Sequence, residues 1–262
     1  MVAGARAFAK NMLVYAVLAV QFVTVVPIPS VPFTVDERAV RNSAVLFPLI
    51  GGGLGAVLWG VLRLTRGPLS TPAASVLALA VYTLLTGALH LDGLMDTADA
   101  IGSRKPRVQA LEVMRDSRVG AMGVVAAVLV MLGKYTAIRT LGANDVAAFV
   151  MVPALARLGM VIAMVMAPYA RTGDGVGGRF AGKLSVSLPI TASVVIFGVL
   201  FLWTSVQEFI AVSITTLFIT GLFTLFMRRR FGGMTGDTYG ALNELIEWGA
   251  WMVWIVASPV GK

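Results

Sequence analysis

Eight apolar runs, each near the length that crosses a bilayer, constrain this chain more than any other feature. They fall at roughly 12–26, 44–64, 72–91, 119–139, 145–168, 185–203, 207–227 and 241–258. A helix needs about 20 mostly apolar residues to cross the hydrocarbon core. Proline, glycine or charge separates the runs: Pro27 to Pro32, Arg66-Gly67-Pro68, the acidic stretch 92–118, Asn144-Asp145, the glycine-rich loop 172–182, and Arg228 to Gly240. Only 13% of residues are charged, against about 25% in a soluble domain. The expected fold is all-α, a polytopic transmembrane bundle of seven or eight spans. Glu244 and Glu247 lie in the first turns of the last run, so a seven-span reading drops that helix. No linker suggests a second domain, and residues 1–262 are read as one integral-membrane unit.

Charge orients the bundle. With eight spans, the loops around 27–43, 92–118, 169–184 and 228–240 share one face and carry thirteen Lys and Arg residues, against six on the other. The positive-inside rule puts the thirteen in the cytoplasm, so the expected location is the cell (inner) membrane with the polar motifs facing the cytosol. The first apolar run ends in Pro27-Ile28-Pro29 without a small-residue cleavage pattern and reads as a retained helix. The net charge of +8 matches topogenic loops and anionic lipid. The basic residues are scattered among loops, which argues against nucleic acid as a partner. With no Cys and one His, disulfides, thiolate metal sites and multi-histidine zinc or haem chemistry are excluded.

Thirteen acids serve the whole chain, and five of them cluster beside apolar segments. Asp92, Asp96 and Asp99 are spaced i, i+4 and i+7, which keeps them on one helix face. Glu112 and Asp116 repeat the i, i+4 spacing. Carboxylates near a membrane need compensation, and Mg2+ takes carboxylate oxygen together with substrate phosphate. The candidate metal ligands are therefore Asp92, Asp96, Asp99, Glu112 and Asp116, with Mg2+ as the cofactor. A solvated interface turn and a cation-transport site are the alternatives.

His90 abuts the cluster and has the one side chain with an ordinary pKa near neutrality. It is a candidate base, or it orients Asp92 or Asp116. Arg104, Arg115 and Arg118 are candidates to neutralise phosphate oxygens, with Lys105 and Arg107 read as topogenic. Lys134 and Arg157 lie inside apolar runs, where charges usually face a cavity. The segment Gly232 to Gly240 forms a tight loop at a helix entrance, able to offer backbone N–H groups to an anion; Thr235, Asp237 and the following Glu244 are candidate substrate contacts. Its plainer reading is a turn with Thr235 or Asp237 as helix cap. Gly51-Gly52-Gly53 lies inside a span with no strand before it, so close helix packing explains it better than nucleotide binding.

The order HLDGLMDTADA, LEVMRDSRVGAMG, GGMTGDTYGALNELIE, with QFVTVVPIP and FPLIGGGLG upstream, resembles cobalamin synthase, the adenosylcobinamide-GDP ribazoletransferase family, over nearly the whole chain. Ala100 stands where that family tends to have Gly. Similarity to the wider CDP-alcohol phosphotransferase pattern is partial. The resemblance implies that the 5′-hydroxyl of α-ribazole, or the equivalent position of its 5′-phosphate, attacks adenosylcobinamide-GDP. GMP leaves, and adenosylcobalamin or its 5′-phosphate forms. It further implies that Asp92, Asp96, Asp99 and Asp116, with Glu112, hold Mg2+, that Arg115 and Arg118 bind phosphate, and that His90 or an aspartate takes the proton. Asp237 and Glu244 complete the site or contact a nucleoside. A substrate of this size calls for a wide cytosolic cavity. Assembly into a homo-oligomer stays open. An intramembrane prenyltransferase and a cation transporter are the competing readings; the first lacks a second aspartate-rich motif here, and the second lacks a visible inverted repeat.

Overall fold

The computed structural model describes residues 2–29, 36–171 and 204–258, together with Gly178, Phe180 and Gly198. The expected span at 185–203 and the glycine-rich loop 172–182 lie outside the described residues, apart from those three positions. Among the described residues every regular element is helical: α1 Val2–Val23, α2 Glu37–Ser43, α3 Phe47–Thr65, α4 Thr71–Leu85, α5 Leu89–Gly102, α6 Arg107–Val113, α7 Ala121–Leu141, α8 Val146–Met166, α9 Val206–Phe231 and α10 Gly236–Ala257. Short 3-10 turns join α2 to α3 and α7 to α8. Among the described residues, four stretches are long and apolar enough to cross a membrane, at 37–65, 121–144, 146–166 and 206–231. The bent pair α4–α5 makes a fifth if counted as one span. Seven or eight were expected; α10 carries Glu244 and Glu247 and is not among them.

The clearest departure from the sequence reading is at 72–91. This run is not one straight helix: α4 and α5 meet at 85°. Gly87 and Ala88 both take positive φ, 58° and 54°, which turns the helical path through nearly a right angle. Glycine adopts that conformation freely and alanine only at a cost. The end of α1 is tied to this break, since Val25 N–H donates to Leu85 O at 3.0 Å.

In lipid the drive for helices to associate is packing rather than expulsion of apolar surface from water, so small residues let backbones approach. The α3 glycines do this against α8. A Cβ on Gly51 or Gly55 would run into the carbonyls of Pro153 or Phe149. Helix α8 is the central element, buried along nearly its whole length. Helix α9 is peripheral and turns Ile210, Ile214, Leu217, Phe218, Leu222 and Phe226 outward. At one end of the bundle, Trp254 Nε1–H donates to Asp145 Oδ2 at 2.7 Å. At the other end three polar connections meet. Arg230 donates to Lys105 O at 2.6 Å, Arg107 to Ala170 O at 3.2 Å and Arg228 to Met166 O at 3.3 Å.

Candidate active site

Helices α5 and α10 cross where both have glycine. A Cβ on Gly93 would sit 2.5 Å from Asp237 O, and one on Gly240 would sit 3.0 Å from His90 Cα. That close crossing sets His90 and Asp92 of α5 beside Asp237 of α10, two distant parts of the chain. All three line one cavity of about 620 Å3. The rest of its wall is mainly apolar and includes Phe22, Phe47, Met160 and Phe180. Its volume is in the range of about 300–1,000 Å3 usual for drug-sized ligands, narrower than the wide cavity expected for a corrinoid substrate.

Asp96 lies one turn further along α5. The charged groups acting on it are Asp92, Asp237, Arg171 and Asp99. Arg171 is already paired with Asp237 at 2.6 Å. Among the described residues Asp92 and Asp96 make no ion pair. Among the described residues, the site thus gathers more carboxylates than cations.

The other acids read as metal ligands are placed differently. Asp99 accepts from the backbone N–H of Gly120 and of Gly123, each at 2.7 Å. Its carboxylate therefore binds the first N–H groups of α7, where a negative charge is favoured. Neither glycine could carry a side chain without striking that carboxylate. Asp116 stands in the connection between α6 and α7 and accepts two side-chain bonds from Arg118, at 2.6 Å from Nη2 and 2.9 Å from Nε. Those bonds hold the Asp116 carboxyl down at about 2. Glu112, Arg104 and Arg115 are exposed. Among the described residues, no three His, Asp or Glu side chains converge closely enough to hold a metal ion by themselves.

Lys134, Arg157 and Glu244, read as substrate contacts, spend their charge on one another and on Glu247. Lys134 Nζ lies 2.6 Å from Glu244 and 2.5 Å from Glu247. Arg157 pairs with the other oxygen of Glu247. Tyr82 donates to that same oxygen, and Arg157 donates to the Tyr82 hydroxyl at 2.9 Å. Two cations and two anions balance inside the bundle, which is what buried charges require. The network reaches the cavity through His90, whose Nδ1 is 3.5 Å from Arg157 Nη2. Intramembrane position alone marked Lys134 and Arg157. Glu247 was the partner the sequence reading missed, although its i, i+3 spacing from Glu244 was available as a signal.

The glycine–aspartate loop folds as a capped helix start. Gly232 ends α9 at φ 77°. Thr235 caps α10, accepting from Thr238 N–H while Thr238 Oγ1 accepts from Thr235 N–H. A short parallel bridge joins Met234 to Tyr169. The capping alternative for Thr235 is thus realised. The segment lines the cavity with Gly236, Asp237, Tyr239 and Gly240; Asp237 is held by Arg171, which was not read as a site residue.

A helical bundle with membrane-crossing spans and a mainly apolar cavity edged by Asp92 and Asp237 defines a helical membrane protein with an amphipathic pocket. Known proteins narrow the class. The sequence model of the cobalamin-5-phosphate synthase family matches residues 15–255, and the chain belongs to that family, a family of cobalamin biosynthesis. It is 38% identical over 240 residues to the adenosylcobinamide-GDP ribazoletransferase of Desulforamulus reducens, covering 91% of this chain and 94% of that protein. The enzyme of the same name from Stutzerimonas stutzeri is 39% identical over 236 residues, 88% of this chain and 93% of that one. That from Thermoanaerobacter pseudethanolicus is 34% identical over 232 residues, 88% and 92%. No solved structure matches the chain.

Proposed function

We propose that this protein transfers the adenosylcobinamide-phosphate group of adenosylcobinamide-GDP to α-ribazole or its 5′-phosphate, releasing GMP at the cytosolic face of the inner membrane. The observation that carries the reading is Asp92 at the cavity wall beside Asp237, with Asp96 one turn along α5 and close enough to interact with both, in a chain of this family. The family's name supports a nucleophile other than the 5′-hydroxyl expected from the resemblance. A product that keeps a 5-phosphate has its 5-oxygen already esterified, so the attacking oxygen is another ribose hydroxyl.

In the transfer, that oxygen bonds to the cobinamide-linked phosphorus. The bond from this phosphorus to the GMP oxygen breaks, and its electron pair leaves with GMP. The hydroxyl proton passes to a carboxylate at the wall, where Asp92 and Asp237 stand. His90 is not the acceptor in this arrangement. Its Nδ1 lies 3.5 Å from a guanidinium nitrogen, which only donates, so this reading puts the ring hydrogen on Nε2. Mg2+ fits the donor set, since it favours one or two carboxylates plus substrate phosphates over an all-protein cage. Asp92 and Asp96 would hold it, with Asp116 and Glu112 as further carboxylates from the neighbouring segment. When bound, it would neutralise the diphosphate and the departing oxygen. Arg104, Arg115 and Arg118, exposed on the segment between α5 and α7, are proposed to meet the phosphates as the substrate arrives. Asp99, Thr235, Lys134, Arg157 and Glu244 act through the fold.

GMP release from adenosylcobinamide-GDP by purified protein in liposomes, with α-ribazole and Mg2+ omitted in turn, tests the proposal. Release that needs both supports it. A folded preparation that releases none, and instead consumes a prenyl diphosphate, would replace it with the prenyltransferase reading.

A further inference from the structure

The cavity wall has two unlike parts. His90, Asp92 and Asp237 form one. The other is aromatic: the rings of Phe22 and Phe180 are edge-on at 4.9 Å, Phe47 and Phe180 are 5.7 Å apart, and Phe22 and Phe47 are 6.3 Å apart. Met160 and Met164 extend this surface with polarisable sulfur. One group there is unsatisfied. Tyr239 lines the cavity, is 2% exposed, and its hydroxyl has no hydrogen-bond partner among the described residues. A buried hydroxyl left unpaired is costly, and one on a cavity wall can be satisfied by what fills the cavity.

Size decides between the two substrates of the transferase reading, on which this inference rests. A corrinoid carrying an adenosyl group and GDP is several times larger than what about 620 Å3 encloses; a nucleoside fits. Edge chemistry decides between nucleosides. Guanine presents N7, O6 and N2–H2 groups that all need partners. The dimethylbenzimidazole of α-ribazole presents one free ring nitrogen, an acceptor, on an otherwise apolar bicycle. Apart from His90, Asp92 and Asp237, the polar side chains on this wall are the Gln21 amide and the buried Tyr239 hydroxyl, fewer than a guanine edge needs and enough for one acceptor.

We propose that this cavity is the acceptor site. The benzimidazole lies among Phe22, Phe47 and Phe180 and accepts a hydrogen bond from Tyr239, the ribose hydroxyls face Asp92 and Asp237, and the corrinoid stays outside. Aromatic contact of this kind adds to simple burial, and the arrangement brings the attacking hydroxyl to the carboxylates.

The test is steady-state GMP release by the full chain in liposomes, varying each substrate, for wild type, Tyr239→Phe and Phe22→Leu. Both variants should raise KM for α-ribazole by about three- to tenfold, the size of one lost hydrogen bond or partial contact, with KM for adenosylcobinamide-GDP little changed. Free 5,6-dimethylbenzimidazole should inhibit wild type competitively against α-ribazole. That measurement needs no variant to fold. If KM for adenosylcobinamide-GDP rises instead, or the benzimidazole competes with that substrate, the cavity takes the guanosine and the proposal is overturned. If wild type releases no GMP, the transferase reading fails. Calorimetric titration of α-ribazole into wild type and Tyr239→Phe then judges the acceptor site separately: weaker binding to the variant keeps it, and no binding to either removes it.

Discussion

The carbonyl oxygen of Asp237 occupies the space where Gly93 lacks a side chain, 2.5 Å from the position a Cβ would take. The obstacle is backbone, so a methyl group at Gly93 cannot be accommodated by a rotamer change. It must push α10 away from α5 and separate Asp92 from Asp237. Overpacking of this kind costs about 1–3 kcal/mol. Gly93→Ala should therefore lose most GMP-release activity and lower the thermal midpoint in detergent. Gly53, in α3, has open space around its Cβ position. Gly53→Ala should leave activity intact and gain up to about 1 kcal/mol of helix propensity. Equal activity in the two variants would show that the crossing does not build the site.

Three aspartates share one face of α5, yet they should not behave alike. Asp92→Asn and Asp96→Asn should abolish turnover and leave the thermal midpoint nearly unchanged, because neither forms an ion pair among the described residues. Asp99→Asn exchanges one carboxylate oxygen for an amide that cannot accept from Gly120 or Gly123. A lost helix cap costs about 0.5–2 kcal/mol, so this variant should melt earlier. Thermal melts and GMP release on the same preparations separate the roles. Unchanged stability in Asp99→Asn would refute the capping role.

Periodicity made the acidic face of α5 legible, since spacing of i, i+4 and i+7 fixes a face. It did not say what each carboxylate meets there. Asp99 meets the start of α7, 21 and 24 residues away, and local spacing carries no trace of that. The run at 72–91 read as one helix because it is uniformly apolar. Its bend rests on Gly87 at φ 58° and Ala88 at φ 54°; the glycine allows such a turn, but an alanine gives no warning of the left-handed region. The close packing of Gly51 was legible because membrane helices favour small residues at contacts. The partners of Lys134 were not, because Glu244 and Glu247 lie 110 and 113 residues on. There the two acids read as a flaw in the last span instead of the charge that a buried lysine needs.

Arg118 should control the titration of Asp116. Its hydrogen bonds lower the carboxyl from its ordinary value of about 3.9 to about 2. A depressed carboxylate favours the paired loop at pH above the ordinary value, and that preference is lost as pH falls through about 2. Asp116 therefore stays ionised across any working pH. In Arg118→Ala, side-chain carboxyl NMR should find Asp116 titrating near its ordinary value, and KM for adenosylcobinamide-GDP should rise if Arg118 meets the phosphates. A carboxyl still near 2 in that variant would mean another group holds it.

Glu247 neutralises Lys134 and Arg157 at once, and all three side chains are almost wholly buried. Glu247→Gln removes one negative charge and leaves two cations facing Glu244 alone. Breaking a buried pair from one side costs about 3–5 kcal/mol, so this variant should be strongly destabilised. Lys134→Met leaves Glu244 without its cation and should be destabilised too. The double variant Lys134→Met/Glu247→Gln restores the balance between Arg157 and Glu244, so its loss should be smaller than the sum of the two single losses. Coupling between contacting groups is about 0.5–3 kcal/mol, well within the reach of thermal melts in detergent. Additive losses would mean that Lys134 and Glu247 do not sense each other's charge. Activity in the double variant then reports on His90, because Arg157 stays in place beside its Nδ1. Recovered stability without recovered turnover would show that Glu247 sets the position of Arg157 as well as its charge.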